Sequence, residues 1–374
     1  MKFTIQSKQL LSHLNAVSKV ISNKNAYAIL EYFLFELEGE RLVITGSDME
    51  TRMTTFIEVP GAEGQGRFAI EVKRMLNLLR EMPETGLTID VNEENMEVNI
   101  KYLNGDFNAV ALNGDEYPLK IQMNDTAHEV QLNQRDVADG IQRTVFAVGQ
   151  DDMHPQFMGV FWDIKPESIT FVASDAHKLV RYKRSSVKPG FEASFILPAK
   201  PATILASILD RDTEQPLTAT IDETSATFDT GEYQLTCRFI NGRYPNYEQV
   251  IPKDNPYSAT LDRVTLLTAL RRVSIFASVG GLVKLEFDAE GLKLTSQDLD
   301  HQTSAEEHVQ CEYDGEPLTI GFKSVDLIDV LNNINCSTVV FKLLDPARAG
   351  IFLPTEQPEG EDLLILQMPM MIQQ

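Results

Sequence analysis

The chain has 374 residues, room for two to four domains of ordinary size. Hydrophobic residues make up 43% and charged residues 24%, which places it among folded globular proteins and excludes wholesale disorder. Lys and Arg number 33 against 55 Asp and Glu, so the formal charge is −22, which argues against a phosphate-rich partner unless the charges are segregated.

The alternating segment Phe3-Thr4-Ile5 reads as a strand, and a helix is expected over 7–24. Leu10, Leu14, Val17 and Ile21 recur at steps of 4, 3 and 4 and form one apolar stripe. Ser7 is expected to cap this helix with its hydroxyl. Lys8, Ser12, Asn15 and Lys19 line the opposite face, and no carboxylate occurs within 7–24. A strand over Leu42-Val43-Ile44 runs into the polar turn Thr45-Gly46-Ser47-Asp48. Phe68-Ala69-Ile70 begins a second strand, followed by a helix carrying Leu76, Leu79 and Met82. Alternating residues 107–111 and the pair Tyr117-Pro118 end this part.

The plan then restarts at Val130-Gln131-Leu132 and again at Ala259-Thr260-Leu261. The helix of the second unit carries Val137, Ile141, Val145 and Val148, with Gly140 inside it; that of the third carries Leu266, Leu270, Val273 and Ala277. Phe195-Ile196-Leu197 and Leu318-Thr319-Ile320 match Phe68-Ala69-Ile70, and each precedes a further apolar helix. The turn aspartates Asp48, Asp175 and Asp298 step by 127 and 123, and Tyr244-Pro245 lies 127 residues after Tyr117-Pro118. Gly105-Asp106-Phe107 is matched by Gly231-Glu232-Tyr233. The reading is α+β: three tandem copies, bounded at 1–124, 125–253 and 254–374, each with two helices packed on antiparallel sheets.

Charge is unevenly distributed. Net charge is +3 over 7–24, +2 over 262–278, −1 over 323–336 and zero over 71–84, 133–148 and 198–212. The six helical segments total +4 in a chain of −22. Either the acidic residues serve solubility, or the helices face an anionic partner.

Catalytic signals are weak. Asp175-Ala176-His177 has the look of a catalytic pair, but no Gly-x-Ser-x-Gly elbow supplies a nucleophile, and an Asp in a turn ordinarily bonds nearby backbone. Phosphate-binding and dinucleotide glycine motifs are absent, and His13, His128, His154, His177, His301 and His308 lack metal-ligand spacing. No enzyme, metal or cofactor is expected. Cys237, Cys311 and Cys336 are widely spaced, so free thiols in a reducing compartment are expected rather than disulfides. The start of the sequence lacks a signal-peptide run, and no apolar stretch reaches the roughly 18 residues of a membrane span. A cytoplasmic location follows as the expectation. The apolar terminal segment 364–371 reads as a last strand or as an adaptable, methionine-rich surface for peptides.

The triplication, the segment Ser174-Asp175-Ala176-His177-Lys178-Leu179, the segment Asn241-Gly242-Arg243-Tyr244-Pro245-Asn246-Tyr247 and the terminal Met368-Pro369-Met370 together resemble the bacterial sliding clamps, the beta subunits of DNA polymerase III. The resemblance covers the whole chain. It implies a DNA polymerase processivity factor: two chains joined head to tail in a homodimer ring of six domains, with twelve helices around double-stranded DNA bound without regard to sequence. It further implies loading by an ATP-driven clamp loader. The catalytic polymerase subunit and other proteins would dock a short motif in a pocket between the second and third domains.

Carried onto this sequence, the resemblance places that peptide pocket at Ser174, His177, Leu179, Pro245, Val250, Leu366, Met368 and Met370. It places DNA contacts at Lys24, Lys73, Arg74, Gln150, Lys200, Arg271 and Arg272. The dimer interface would pair the strand at Phe107 with the helix carrying Ile275 and Phe276. Gln249, Lys323 and Asp326 depart from arginine, asparagine and tyrosine common in the family, and His154-Pro155-Gln156 lacks the paired tyrosines of some relatives. The alternative is a three-domain peptide-binding scaffold that does not bind DNA.

Overall fold

The computed structural model describes residues 1–22, 27–124 and 126–372. Among them are six α-helices: α1 (Ser7–Ser18), α2 (Val72–Glu81), α3 (Gln134–Thr144), α4 (Ala199–Ile208), α5 (Arg263–Ser274) and α6 (Ser324–Asn333). Each occupies a place that the apolar stripes anticipate. The chain forms two compact units, Met1–Ala138 with Lys200–Phe239, and Asp139–Ala199 with Ile240–Gln374.

The first unit holds a four-stranded antiparallel sheet of Lys2–Gln6, Gly86–Asn92, Glu97–Tyr102 and Gly105–Val110. Its alternation places Phe3 opposite Ile89 and Ile5 opposite Leu87, all four buried. A nine-stranded sheet completes the unit. At its middle, Thr51–Glu58 from the first repeat pairs antiparallel with Tyr233–Arg238 from the second. The second unit repeats the plan, with Lys178–Arg184 paired to Glu361–Gln367 across another nine-stranded sheet. Its four-stranded sheet orders Thr303–Val309, Gly291–Asp298, Leu282–Asp288 and Leu318–Lys323. The middle repeat therefore gives strands to both units. Sharing strands in this way covers sheet edges that an isolated repeat would leave open.

The predicted core of α1 is observed, with Leu10, Leu14 and Val17 buried and Ile21 half-buried just beyond its end. Two details differ from expectation. The helix proper stops at Ser18, and single turns carry it as far as Ile21. Ser7 is the first helical residue rather than the cap; its hydroxyl donates to the Pro83 carbonyl and accepts from the Thr85 N–H, which ties the start of α1 to the end of α2. In the second repeat α3 ends at Thr144 and a short 3-10 turn, Val145–Ala147, replaces its last turn. Gly140 is required there by packing, because a Cβ would sit 2.3 Å from the Phe171 ring. Phe171 in turn packs edge-on against the fully buried Trp162.

The repeated turns are equivalent in detail. Asp48, Asp175 and Asp298 each accept N–H groups two and three residues onward. Met49 and Ala176, the residues after the first two, both take positive φ, 80° and 71°. Both Tyr-Pro tyrosines, Tyr117 and Tyr244, are buried.

Candidate functional site

An apolar cavity lies in the second unit, where the peptide pocket is expected. Strands Lys178–Arg184 and Glu361–Gln367 place Leu179 directly opposite Leu366, and both are 4% exposed. The segment 244–250 crosses beside them. Tyr244 stacks on Phe161 at 4.6 Å, and Tyr247 donates to Asp163 at 2.8 Å, so the wall is held from behind. Burial and the Asp163 bond raise the Tyr247 pKa, which keeps its hydroxyl a donor. The result is a largely apolar cavity of about 230 Å³.

Ser174, His177, Leu179, Pro245, Val250, Leu366 and Met368 line it, seven of the eight residues expected. Met370 does not; its N–H instead bonds the Gly321 carbonyl at 2.8 Å, which ties the terminal segment to the third repeat. Phe157, Ala176, Lys178, Tyr244, Asn246 and Tyr247 line the cavity without having been anticipated. Five of the six lie within the two quoted motifs, whereas nothing local marks Phe157. Gln249 lies on a wider, more open depression of about 870 Å³ that shares Val250 and Met368 with the first. Exposed Met368 is held by its N–H on the His177 carbonyl, so it can serve as a fixed rim.

Behind the cavity Lys178 is buried between two carboxylates, 2.5 Å from Asp175 and 3.4 Å from Asp326. Burial alone would lower its pKa, but the bonds and charges of Asp175 and Asp326 hold it above the ordinary lysine value. Asp326, one of the departures from the family pattern, thus has a definite partner. Asp175 is occupied by backbone and Lys178, and serves as a turn residue rather than as the orienter of a catalytic histidine. Among the described residues no group of three or more His, Cys, Asp or Glu could hold a metal ion. Burial pushes up the thiols of all three free cysteines, that of Cys311 to about 12.

The DNA-contact candidates fall on or beside helices. Lys73, Arg74, Gln150, Lys200, Arg271 and Arg272 are exposed, and Lys24 lies outside the described residues. Several are already partnered within the chain. Arg74 lies 3.3 Å from Glu71, Lys200 lies 2.6 Å from Asp48, and Arg272 forms a two-pronged pair with Glu307. Arg271 donates to Asn332 at 3.0 Å.

Phe107 sits on Gly105–Val110, an edge strand of its sheet, and stacks on Tyr102. Ile275 and Phe276 are not within α5 as expected but in the turn that follows it, where Ile275 is 77% exposed. Thr303–Val309 is an edge strand of the sheet beneath α5.

Known proteins resemble this chain along its whole length. Models of the DNA polymerase III beta subunit match in order: the N-terminal domain over residues 1–122, the central domain over 131–246 and the C-terminal domain over 248–371. The beta sliding clamp of Pseudomonas aeruginosa is 27% identical over 99% of this chain and all of that relative. That of Bacillus subtilis is 26% identical over 99% of both. Among solved structures, a Pseudomonas aeruginosa sliding clamp bound to griselimycin superposes over 100% of both chains with a TM-score of 0.93 at 25% identity. The beta subunit of Thermotoga maritima, at 23% identity and a TM-score of 0.91, shares the fold over 100% of both chains. The chain belongs to the family of DNA polymerase III beta subunits, the bacterial sliding clamps.

Proposed function

We propose that this protein is a DNA polymerase processivity factor: a ring of two chains that encircles duplex DNA and tethers the replicative polymerase by topology. The observation that carries this reading is the ordered match of all three beta-subunit domains along one chain. In this reading the three domains occupy 1–124, 125–253 and 254–374. The protein itself catalyses nothing. It works in the cytoplasm, where the chromosome and the loader are found.

The charge pattern supports such a device. A ring that moves along DNA must hold phosphates weakly and read no bases, because each firm phosphate contact adds affinity and salt dependence. Lys73, Arg74, Gln150, Lys200, Arg271 and Arg272, with Lys24, supply the inner surface in this reading. The Arg74, Lys200 and Arg272 pairs with internal carboxylates mute their pull. Acidic residues elsewhere keep DNA off the outer surface.

Ring closure joins the edge strand bearing Phe107 of one protomer to the region of Ile275 and Phe276 of its partner. Two exposed edges and exposed apolar side chains are buried together, and the contact is head to tail, so it closes only at a suitable rotation. The Leu179–Leu366 cavity receives an apolar peptide motif from the polymerase, the clamp loader and other clients. Retention on a nicked circular plasmid after loading, with loss once the plasmid is linearised, is the expected result. Equal retention on both forms refutes tethering by topology.

A further inference from the structure

The internal repeat places a counterpart of the apolar cavity in the first unit, and its chemistry is different. Arg52 stands 127 residues before Leu179, Lys120 before Tyr247 and Met123 before Val250. Arg52 lies opposite Thr236 as Leu179 lies opposite Leu366. The connector after Tyr117-Pro118 arches over this sheet face as the segment after Tyr244-Pro245 does over the other. It is pinned at both ends: the Pro118 carbonyl accepts from Arg52 Nη1 at 3.0 Å, and the Asn124 N–H donates to Asp222. Beneath it lies a cavity of about 220 Å³.

Apolar residues line the second-unit cavity, but Arg52, Lys120, Thr54, Thr227, Thr236 and Gln234 line this one. No carboxylate among the described residues lines its walls, in a chain that carries 55 Asp and Glu. Arg52 is 5% exposed; among the described residues no carboxylate forms an ion pair with its guanidinium, and Glu36, which acts on it from farther off, is itself paired with Arg67. Its Nε is buried with no acceptor, and the Pro118 carbonyl takes only one of its five N–H donors. Lys120 is exposed at the rim and has no ion pair among the described residues. Thr227 and Thr236 bond one another at 2.9 Å, and Thr54 bonds Thr45 at 3.0 Å. Each such hydroxyl pair uses one proton internally and leaves one to donate. A buried cation with no carboxylate in direct contact, ringed by spare donors, is the complement of an anion.

We infer that the cavity between the sheet face at Arg52 and the connector at Lys120 is a binding site for a free tetrahedral oxyanion of the phosphate class. The guanidinium meets the anion inside, the threonine hydroxyls donate from the floor, and Lys120 closes the mouth.

The test titrates orthophosphate into the full chain at fixed ionic strength, with chloride as the balancing anion. Binding is followed by phosphorus NMR line width and by the rise in thermal midpoint. A saturable one-site response is expected, weakened roughly tenfold or more in Arg52→Gln and several-fold in Lys120→Ala. Lys120 is exposed, so its alanine variant folds and keeps the test decisive even where Arg52→Gln does not. A response that never saturates, wild-type affinity in either folded variant, or displacement of phosphate by a short DNA duplex overturns the assignment.

Discussion

Replacing Lys178 by methionine tests how the second and third repeats are joined behind the apolar cavity. The side chain is only 7% exposed, and its ammonium bridges Asp175 of the second repeat to Asp326 on α6 of the third. Asp329 also faces it, and burial raises the pKa of that carboxyl while Lys178 opposes the rise. Methionine keeps the length and the apolar stem but removes the charge. Asp175 retains two backbone N–H donors, whereas Asp326 is left facing Asp175 and Asp329 with no cation between them.

Stripping one member from a fully buried pair costs about 3–5 kcal/mol, and an exposed pair is worth about 0–1 kcal/mol. Asp326 and Asp175 are 13% and 21% exposed, nearer the buried limit. Lys178→Met should therefore cost about 2–3 kcal/mol. Adding Asp326→Asn removes the stranded charge and should recover about 1 kcal/mol of that. Denaturant unfolding at neutral pH measures both changes. Hydrogen exchange at residues 180–184 and in α6 assigns them to this joint, since a chain with several domains need not unfold in one step. A single variant within about 0.5 kcal/mol of the parent, or a second substitution that deepens the loss, refutes the reasoning.

Three further outcomes are expected. Leu179→Ala should weaken docking of a client peptide roughly tenfold by calorimetry, because it empties the cavity floor, whereas Met370→Ala should change affinity less than about twofold. Comparable losses in the two variants would return Met370 to the pocket wall. Ile275→Asp combined with Phe276→Asp should yield monomers by sedimentation velocity; persistent dimers would place the ring joint elsewhere. The third outcome concerns pH. His13 is buried against Thr55, 2.6 Å away, and burial lowers its pKa more than the nearby Glu232 raises it. The unfolded chain then binds the extra proton first. The stability His13 contributes is complete above about pH 6.5 and is lost as pH falls toward its lower folded value. His13→Gln should flatten that acid limb in a thermal-shift series; an unchanged slope would mean that another group carries it.

Much of this molecule can be read from local pattern. The stripes of α1 and α5, the turn aspartates at Asp48, Asp175 and Asp298, and the two Tyr-Pro pairs all rest on spacings of a few residues or on one repeat length. So does the contrast between near-neutral helices and an acidic remainder. Ser7 shows where such reading stops: a serine at a helix start is a cap by rule, yet here the loop after α2 lies close enough to take its hydroxyl. Met370 shows the same thing at the other end, where a backbone bond to Gly321 turns its residue away from the cavity.

The amino-acid sequence by itself determined three copies of one α+β plan, the helices and their polar faces, and the apolar character of the Leu179–Leu366 site. These are set by periodicity and by residue type, which act over a turn or a strand. Only the tertiary structure decided that the middle repeat divides its strands between two sheets, that Lys200 and Arg272 already hold internal carboxylates, and that Arg52 is sealed beneath a connector with no carboxylate in contact. Those outcomes depend on which edges, charges and carbonyls meet across more than 60 residues of chain or between neighbouring elements, and no local pattern encodes such meetings.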